Sequence, residues 1–479
     1  MFLYTLVNYI GTVIGIVSVL FIYPNDIDFL GKIRYIDNIW QILYPIMVLG
    51  ASHALIKFYP ALDDTHRKKL FNYSLFSITG ISILVLIGIP VFVYLSGYEN
   101  KMFLYFAYPI AVAMAFVDLF KKQAQDLQKI AVPTLYEKII PKIVLPVLFV
   151  LLLNQALGIY ETFYLYVAGY ILVFILTALY LFKRFKPGFN YRFKKLFGEI
   201  SRKDYFRYSL YAFTGSLGSL LAFRIDGIII PELISTEANG TFSIGVTLAS
   251  TLQIPAIGMF ALYAPLVSGY LKDNDFKQLD LKYKEVARLL FFIGAVLYSC
   301  IFLGITDLFS LLPTGEKLQP SIPIILILGF SVLINMATGF NTEIITYSKY
   351  YKFNMIAIVS LIAVNVSLNL FFIYKTDMGI VGVAYASFIS MTLFNLSKLL
   401  FIYKKFRLLP FDAAFAKLAV IFILSGIGIY LLPETDSDLV NLVYKTGLSL
   451  LVNSIAVYKL KLVYQVNVWI DKALNFIRR

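Results

Sequence analysis

The chain has 479 residues, of which 59% are hydrophobic and only 15% are charged, and its mean hydropathy is +0.78. Soluble globular domains carry about 25% charged residues, so this chain has too few charges to face water on all sides. Its 42 Lys and Arg outnumber its 28 Asp and Glu, which gives a net charge of +14. Such an excess can indicate nucleic-acid binding, but the apolar composition excludes a soluble nucleic-acid binder.

Cysteine and histidine are scarce. Cys300 is the only cysteine, which excludes an intrachain disulfide framework and a cysteine-based metal cluster. Because His53 and His66 are the only histidines, we expect no metal site, no cofactor and no histidine-dependent catalytic residue. The first apolar run begins at Phe2 with no basic stretch before it, so it predicts a first membrane span rather than a cleavable signal.

Fourteen apolar segments are long enough to cross a bilayer, which requires about 20 residues. They predict an all-α polytopic membrane protein with transmembrane helices at 2–22, 38–59, 73–95, 102–120, 131–153, 160–182, 208–230, 241–266, 287–306, 321–345, 354–374, 378–402, 413–432 and 439–462. No connection between them is long enough to hold a soluble domain.

Lys and Arg are distributed unequally between alternate connections, as the positive-inside rule requires. Thirty of the 42 lie in or beside the even-numbered connections and the C-terminal tail, whereas the odd-numbered connections hold only Lys32, Arg34, Lys101, Lys317 and Lys375. A miscounted helix in the middle of the chain would scramble this alternation. The pattern therefore predicts that both termini and the even-numbered connections face the cytoplasm.

The basic connection at 183–207 separates the first twelve predicted helices into two sets of six. Because six is even, both sets begin on the same side of the membrane, as in parallel repeats. Tyr4-Thr5-Leu6 with Gly11 matches Tyr208-Ser209-Leu210 with Gly215 at the same spacing. We predict an N-terminal lobe at 1–182, a cytoplasmic linker at 183–207, a C-terminal lobe at 208–405, two appended helices at 406–462 and an amphipathic interfacial tail at 463–479.

Two lysines lie deep in the fifth predicted helix. Counted from Ala131 at 1.5 Å per residue, Lys142 is about 17 Å into the bilayer, and Lys138 is one turn earlier on the same face. Their charges repel, so an anion must come from another helix, from water or from a ligand. Glu137 points about 100° away, and Pro141 frees its backbone carbonyl. Broken helices of this kind are tolerated where they line a cavity; the alternative is a buried structural ion pair.

The seventh and second helices also carry ionisable residues. Arg224 is about 9 Å from the outer end of helix seven, and Asp226 faces a different side of that helix, so each is expected to meet a group across the bundle. In helix two, His53 and Lys57 share one face and would extend a polar track toward the cytoplasm. A hydrogen-bonded packing role is the competing interpretation of His53.

Together these residues predict a polar, net cationic cavity, which suits an anionic headgroup such as a phosphate or diphosphate. The candidate substrate-binding residues are Lys142, Lys138, Arg224, Asp226, Glu137, Lys57 and His53. Asp226 and Glu137 are also candidates for a coupling-ion site, because they are the deep carboxylates. No catalytic residue and no metal ligand is predicted.

Three stretches, in their order and spacing, resemble helices of a known family. They are Tyr44-Pro45-Ile46-Met47-Val48-Leu49-Gly50 running on to Lys57-Phe58-Tyr59-Pro60, then Leu135-Tyr136-Glu137-Lys138-Ile139-Ile140-Pro141-Lys142, and Gly379-Ile380-Val381-Gly382-Val383-Ala384-Tyr385-Ala386-Ser387-Phe388-Ile389-Ser390. With the six-plus-six layout over about 1–405, the chain resembles the polysaccharide-transporter branch of the multidrug/oligosaccharidyl-lipid/polysaccharide exporter superfamily.

The resemblance implies a two-lobed bundle with a central cavity and alternating access. It implies a flippase that moves a lipid-linked oligosaccharide, typically on undecaprenyl diphosphate, from the inner to the outer leaflet of the bacterial plasma membrane. Lys138, Lys142, Arg224 and Asp226 are then the best candidates to contact diphosphate and sugar. Helices 13 and 14 are similar to the extra pair of fourteen-span flippases of peptidoglycan precursors, where the pair is associated with a lipid-tail groove. Membrane lipids and other glycan-assembly proteins are expected partners, and a H⁺ gradient, a Na⁺ gradient or the membrane potential is the expected energy source.

Two other functions compete with the flippase. A cation-coupled multidrug exporter of the same superfamily needs cavity carboxylates, but the deep acids are only Glu137 and Asp226. A membrane glycan polymerase or ligase would act at the outer face, where the connections are short and contain no histidine. We therefore expect a transporter rather than an enzyme.

Overall fold

The computed structural model describes residues 11–189 and 192–477, and every regular element in those ranges is a helix. The chain divides into two compact units, Met1–Gly240 and Thr241–Arg479. Eleven helices in the described ranges are long and apolar enough to cross a membrane. The predicted all-α polytopic fold is therefore confirmed, whereas the number of fourteen crossings stays a prediction. Most of the first half of the predicted helix 2–22 lies outside the described residues.

Unit 1 consists of ten helices in the part of it that the structure describes. They are α1 (11–17), α2 (Ile27–Val48), α3 (Ala51–Phe58), α4 (Asp64–Ser96), α5 (Lys101–Asp126), α6 (Ala131–Leu153), α7 (Ile159–Phe182), α8 (Leu196–Glu199), α9 (Arg202–Arg224) and α10 (Asp226–Leu233). A π-helical turn at Ser18–Ile22 and a 3-10 turn at Tyr23–Asp26 join α1 to α2. Helix α5 packs between α2 and α7, and α6 packs against α7.

Helix α2 begins at Ile27, eleven residues before the predicted start at 38, so the expected outer connection is largely helical. Its first turns are polar, which lowered the hydropathy of this segment. The structure shows how the helix accommodates those groups: Asp26 caps it by accepting a hydrogen bond from Phe29 N (2.9 Å). Lys32 pairs with Asp28 at a separation of four residues.

The second helix is broken at Leu49 and Gly50, one turn after Pro45. Both residues have positive φ, at 44° and 75°. A Cβ on Gly50 would lie only 2.0 Å from the carbonyl oxygen of Ser209 in α9, so only glycine permits this approach of the two backbones. The break separates α2 from the short helix α3, which contains His53 and Lys57.

Helices α9 and α10 form the seventh predicted crossing and pack along α2 and α3. The contact is close because Gly227 has no side chain, since a Cβ there would lie 1.9 Å from Asn38 Nδ2. The same Nδ2 atom donates a hydrogen bond to the carbonyl of Gly227 at 3.2 Å. Asn239 Nδ2 donates to the carbonyl of Gly31 at 2.8 Å. Helix seven therefore belongs to the first compact unit, whereas the sequence suggests a lobe boundary at the linker 183–207.

Unit 2 contains the remaining helices. They are α11 (Thr236–Thr251, which begins in unit 1), α12 (Ile254–Lys272), α13 (Phe276–Ser310), α14 (Gly315–Leu318), α15 (Ile322–Ala337), α16 (Asn341–Tyr347), α17 (Lys352–Lys375), α18 (Gly379–Phe406), α19 (Ala413–Tyr430), α20 (Asp438–Lys459) and α21 (Tyr464–Ile477). Helix α13 is central, packing against α12, α15, α19 and α20. The tenth predicted crossing is interrupted between α15 and α16, where Gly339 has φ +61°.

The predicted amphipathic tail is helix α21. Its residue Val466 is buried with Leu462 and Val463 in a cluster that includes Leu418 of α19 and Val457 of α20. Trp469 is exposed. One edge of the apolar stripe is therefore packed on unit 2, which leaves Trp469 for the membrane interface that the sequence predicts. The predicted basic ends Arg478 and Arg479 lie outside the described residues.

We predict that Gly50→Ala lowers the free energy of unfolding by about 2 kcal/mol or more, because the residue has positive φ and its Cβ would meet the backbone of α9. Gly80→Ala is the matched control, since a Cβ at this position in α4 has no neighbour within 4 Å and alanine favours the helix by up to about 1 kcal/mol. Unfolding of the detergent-solubilised variants measures both effects. Equal stability of the two variants would contradict the close approach of α2–α3 and α9.

Candidate functional site

Asp37 is the centre of a buried network in unit 1. Its side chain is 6% exposed, and its carboxylate accepts hydrogen bonds from Arg34 Nη1 (3.2 Å), Trp40 Nε1 (3.0 Å) and the hydroxyl of Tyr166 (2.7 Å). Arg34 and Trp40 lie one turn away on the same helix α2, whereas Tyr166 comes from α7. A carboxylate with three donors is stable in an apolar interior because its desolvation is offset by charged hydrogen bonds.

Two further groups adjoin this network. The hydroxyl of Tyr170 lies 3.3 Å from that of Tyr166, which donates to Asp37, so Tyr170 donates to Tyr166. Arg224, the last residue of α9, lies within electrostatic range of Asp37, Arg34 and Tyr170. It forms no ion pair or hydrogen bond within the described ranges. The carboxylate of Asp37 therefore lies near two guanidinium groups, those of Arg34 and Arg224, and only Arg34 is hydrogen-bonded to it.

Lys138 and Lys142 extend the positive charge along α6. Lys142 is repelled by both Lys138 and Arg34. The ammonium of Lys142 on α6 therefore lies near the guanidinium of Arg34 on α2. Its ammonium packs on the backbone of α1, since a Cβ on Gly11 would be 3.1 Å from Lys142 Nζ. Neither lysine has an ion-pair partner among residues 11–189 and 192–477, and residues 1–10 contain no Asp or Glu.

These four residues, Arg34, Lys138, Lys142 and Arg224, are named here the cationic cluster. Lys138 and Arg224 are exposed, and Lys142 is partly exposed. Lipid cannot solvate such a charge, because placing an unpaired cation in hydrocarbon costs at least about 2.5 kcal/mol. The accessible faces of these side chains therefore require water or an anionic ligand.

Glu137 is not bonded to any member of the cationic cluster in the part of the chain that the structure describes. Its carboxylate forms a close ion pair with Lys121 of α5, which links the C-terminal half of α5 to the N-terminal half of α6. Its charge and that of Asp118 also act on Tyr44 of α2. The two neighbouring lysines on α6 therefore do not use Glu137 as a counter-ion. Helix α6 is continuous through Pro141, so the expected break at this proline is not present.

His53 and Lys57 lie on α3, beyond the break in helix two. The Nε2 atom of His53 is 3.4 Å from the hydroxyl of Ser216 in α9. The imidazole also interacts electrostatically with Asp118 and Lys122. Lys57 is exposed, with its ammonium 6.0 Å from the ring centre of Tyr208. These residues form a second polar group next to Asp118, separate from the cationic cluster.

Asp226 is the first residue of α10, two residues after Arg224, and Ile225 between them keeps helical dihedral angles of φ −63° and ψ −35°. That Arg224 and Asp226 each meet a different group across the bundle stays a prediction. Across the described ranges, no three His, Cys, Asp or Glu side chains gather in a way that would hold a metal ion.

Unit 2 has its own buried cation. Lys398 of α18 donates to the hydroxyl of Thr342 at 2.9 Å and lies 3.7 Å from the ring centre of Phe394. Asn341 joins the same group by donating to Asn395 Oδ1 at 3.3 Å. These polar contacts tie α16 to α18 across the interruption after α15, and they account for Lys398 as a structural residue.

The sequence reasoning missed Arg34, Asp37, Tyr166 and Tyr170. The sequence pattern places Arg34 in an outer connection, because the four charges at 28–37 obscure the start of α2. The signal that identifies the helix is their spacing: Asp28 with Lys32 and Arg34 with Asp37 are separated by four and three residues, as expected for pairs on one helix face. The tyrosines give no such signal, since aromatic residues are common throughout this chain.

The fold is that of membrane transporters. Over 96% of this chain and all of the other, it is similar to the structure described as Lipid II flippase MurJ, inward closed conformation, with a TM-score of 0.70 and 14% identity. It is also similar to an inward-facing multidrug resistance MATE family transporter of the MOP superfamily over 85% of this chain and 96% of that one, with a TM-score of 0.66 and 13% identity.

Residues 1–271 match the family described as "Polysaccharide biosynthesis protein", and the chain belongs to that family. It is 24% identical over 230 residues to the "Uncharacterized membrane protein EpsK" of Bacillus subtilis (strain 168). The match covers 48% of this chain and 45% of that protein, less than half of each. Family and fold confirm the predicted class, the polysaccharide-transporter branch of the MOP superfamily, and a transporter rather than an enzyme.

We predict that Tyr166→Phe lowers the free energy of unfolding by about 1.5–3 kcal/mol, the range for a hydrogen bond to a charged group. Tyr164→Phe is the control on the same helix, because Tyr164 is 66% exposed and its hydroxyl makes no hydrogen bond within the described ranges. Unfolding in a denaturing detergent measures both variants. If Tyr166→Phe is as stable as Tyr164→Phe, Asp37 does not depend on α7.

Proposed function

We propose that the chain moves a lipid-linked oligosaccharide, carried on polyprenyl diphosphate, from the cytoplasmic to the outer leaflet of the bacterial plasma membrane. The observation that carries the proposal is the cationic cluster. Three of its members, Lys138, Lys142 and Arg224, lack ion-pair partners within the described ranges, and the fourth, Arg34, shares its carboxylate with Tyr166 and Trp40.

Phosphate chemistry fits this arrangement of donors. A guanidinium presents paired N–H groups that match two phosphate oxygens, whereas an ammonium acts as a compact point charge. A diphosphate carries at least two negative charges and would neutralise the surplus that the protein leaves on α6 and α9. The sugar would lie beyond it, where hydroxyl and phenol groups supply hydrogen bonds. The helices that carry the cluster, α2, α6 and α9, all belong to unit 1.

The relatives support the same substrate class. The family is described by polysaccharide biosynthesis, and a structural neighbour that covers 96% of this chain is named for flipping Lipid II. Two acids of unit 1 argue against a cationic drug as the substrate: Asp37 accepts three hydrogen bonds, and Glu137 is paired with Lys121. Neither carboxylate is left to bind a hydrophobic cation.

The membrane potential would supply part of the driving force. Moving one charge through 100 mV is worth about 2.3 kcal/mol, so outward transfer of a doubly charged headgroup gains about 4–5 kcal/mol when the interior is negative. Alternating access would carry the headgroup across. A coupling H⁺ or Na⁺ at Asp226 is a further part of the proposal, as are the inner-membrane location and the cytoplasmic position of both termini.

We predict that Lys142→Ala and Arg224→Ala each slow flipping of a fluorescent polyprenyl-diphosphate oligosaccharide by about tenfold or more, because each removes a charged contact to the diphosphate. Proteoliposomes with an external glycan-degrading enzyme measure the rate. Lys129→Ala is the control, since Lys129 is an exposed cation in the connection just before the same helix α6.

Three results would overturn the proposal. Wild-type protein that moves no such lipid would do so, as would unchanged rates for Lys142→Ala and Arg224→Ala. Cation-driven efflux of a hydrophobic drug by the wild-type protein, without lipid transfer, would instead identify a multidrug exporter.

A further inference from the structure

The linker 183–207 of unit 1 carries a dense positive charge on an ordered surface. It contains nine basic residues and only two acidic ones, Glu199 and Asp204. All nine are exposed: Lys183, Arg184, Lys186, Arg192, Lys194, Lys195, Arg202, Lys203 and Arg207. Arg192 apart, none of them forms an ion pair with a carboxylate in the part of the chain that the structure describes.

The described residues of this linker, 183–189 and 192–207, are folded onto unit 1. The carbonyl of Gly188 accepts a hydrogen bond from Asn72 Nδ2 of α4 at 2.8 Å. The rings of Phe193 and Phe197 contact the ring of Tyr73 edge-on, each with a centroid separation of 5.2 Å. Leu196 of the short helix α8 is fully buried. These contacts hold the backbone that carries the cations at one end of the unit.

Aromatic rings rather than carboxylates hold two of the arginines. The guanidinium of Arg202 lies between Phe197 and Phe206, 5.8 and 5.7 Å from their ring centres. Arg184 lies 3.8 Å from the ring centre of Tyr180 and donates to its backbone carbonyl at 2.9 Å. Cation–π contacts orient a guanidinium without neutralising it, so both arginines keep their charge for a ligand.

An apolar side chain projects from the same surface. Phe189 is 94% exposed and is flanked in the sequence by Lys186 and Arg192. An aromatic residue among cations, next to the ends of membrane helices, is the composition that places a segment in the bilayer interface. The positive-inside rule accounts for the number of cations. It does not account for the aromatic contacts that orient Arg184 and Arg202 or for the exposed ring of Phe189.

We propose that the linker is a binding site for anionic phospholipid headgroups of the leaflet at this end of unit 1, with Phe189 inserted among the acyl chains. The charge complementarity is direct, because nine exposed cations meet phosphate groups while the protein provides almost no competing carboxylate. The site lies outside the cationic cluster and goes beyond the proposed transport function. It makes the stability of unit 1 depend on the lipid composition of the membrane.

The test compares two fourfold variants of the full chain in phosphatidylethanolamine nanodiscs with increasing phosphatidylglycerol. The linker variant is Lys183→Gln, Lys186→Gln, Lys194→Gln and Lys195→Gln. The control variant is Lys272→Gln, Lys277→Gln, Lys404→Gln and Lys405→Gln, which removes the same charge from exposed lysines of unit 2. Asp273 and Asp275 already balance part of the charge there.

For the wild-type protein and the control variant, the unfolding temperature rises with the phosphatidylglycerol fraction, and salt weakens the rise. For the linker variant, we expect about half of the rise, since four of nine cations are removed. Equal unfolding temperatures in pure phosphatidylethanolamine show that all three proteins are folded. No rise in the wild type, or an undiminished rise in the linker variant, overturns the proposal; the first result would leave an acidic protein as the partner of this surface.

The position of Phe189 is tested separately. In Phe189→Trp, lipids brominated on the acyl chain quench the added fluorescence relative to the wild type, which has only Trp40 and Trp469. Quenching that grows with the phosphatidylglycerol fraction supports insertion. An added signal that brominated lipid does not quench contradicts it.

Discussion

The carboxylate of Asp37 is the interaction on which the polar interior of unit 1 depends. A single buried charge on α2 is bonded to its own helix through Arg34 and Trp40 and to α7 through Tyr166. Removing one partner of a buried charged pair typically costs about 3–5 kcal/mol, because the remaining charge is left without compensation. Asp37 therefore fixes the direction of Arg34 and the position of α2 against α7. Arg224 lies within electrostatic range of the same carboxylate.

The balance of charge then decides what the interior can bind. Asp37 is bonded to one guanidinium, and Glu137 is bonded to Lys121. Lys138, Lys142 and Arg224 remain as a surplus that the described part of the chain does not neutralise. A soluble protein could leave such a surplus to water at little cost, but a membrane protein cannot do so among lipid tails. In the function that we propose, an anionic headgroup that enters and leaves would remove this cost for part of the cycle, and the cations would stay accessible for it rather than paired.

Much of this arrangement could be predicted from the sequence. Hydropathy located the helices, with α6 at the predicted bounds 131–153, and the depth of Lys142 identified it as unusual. Arg34 and Asp37 were missed because their charges made the first turns of α2 resemble a connection. Their pairing inside the helix is a three-dimensional fact that hydropathy does not contain. The sequence makes Glu137 a candidate coupling-ion residue, but it does not show that Lys121 on another helix reaches this carboxylate. Gly50 illustrates the same limit: its role follows from the approach of Ser209, far away in the sequence.

The central claim is that Lys142 faces water within a cationic environment. It is tested most directly by the reactivity of Lys142→Cys in a Cys300→Ala background with charged methanethiosulfonate reagents. Our account predicts that the anionic reagent reacts faster than the cationic one, because Arg34, Lys138 and Arg224 attract it, and that a polyprenyl diphosphate slows the reaction. Asn154→Cys, at the exposed end of the same helix, should show no such preference. A cysteine at 142 that reacts with neither reagent, or that prefers the cationic one, would contradict the account.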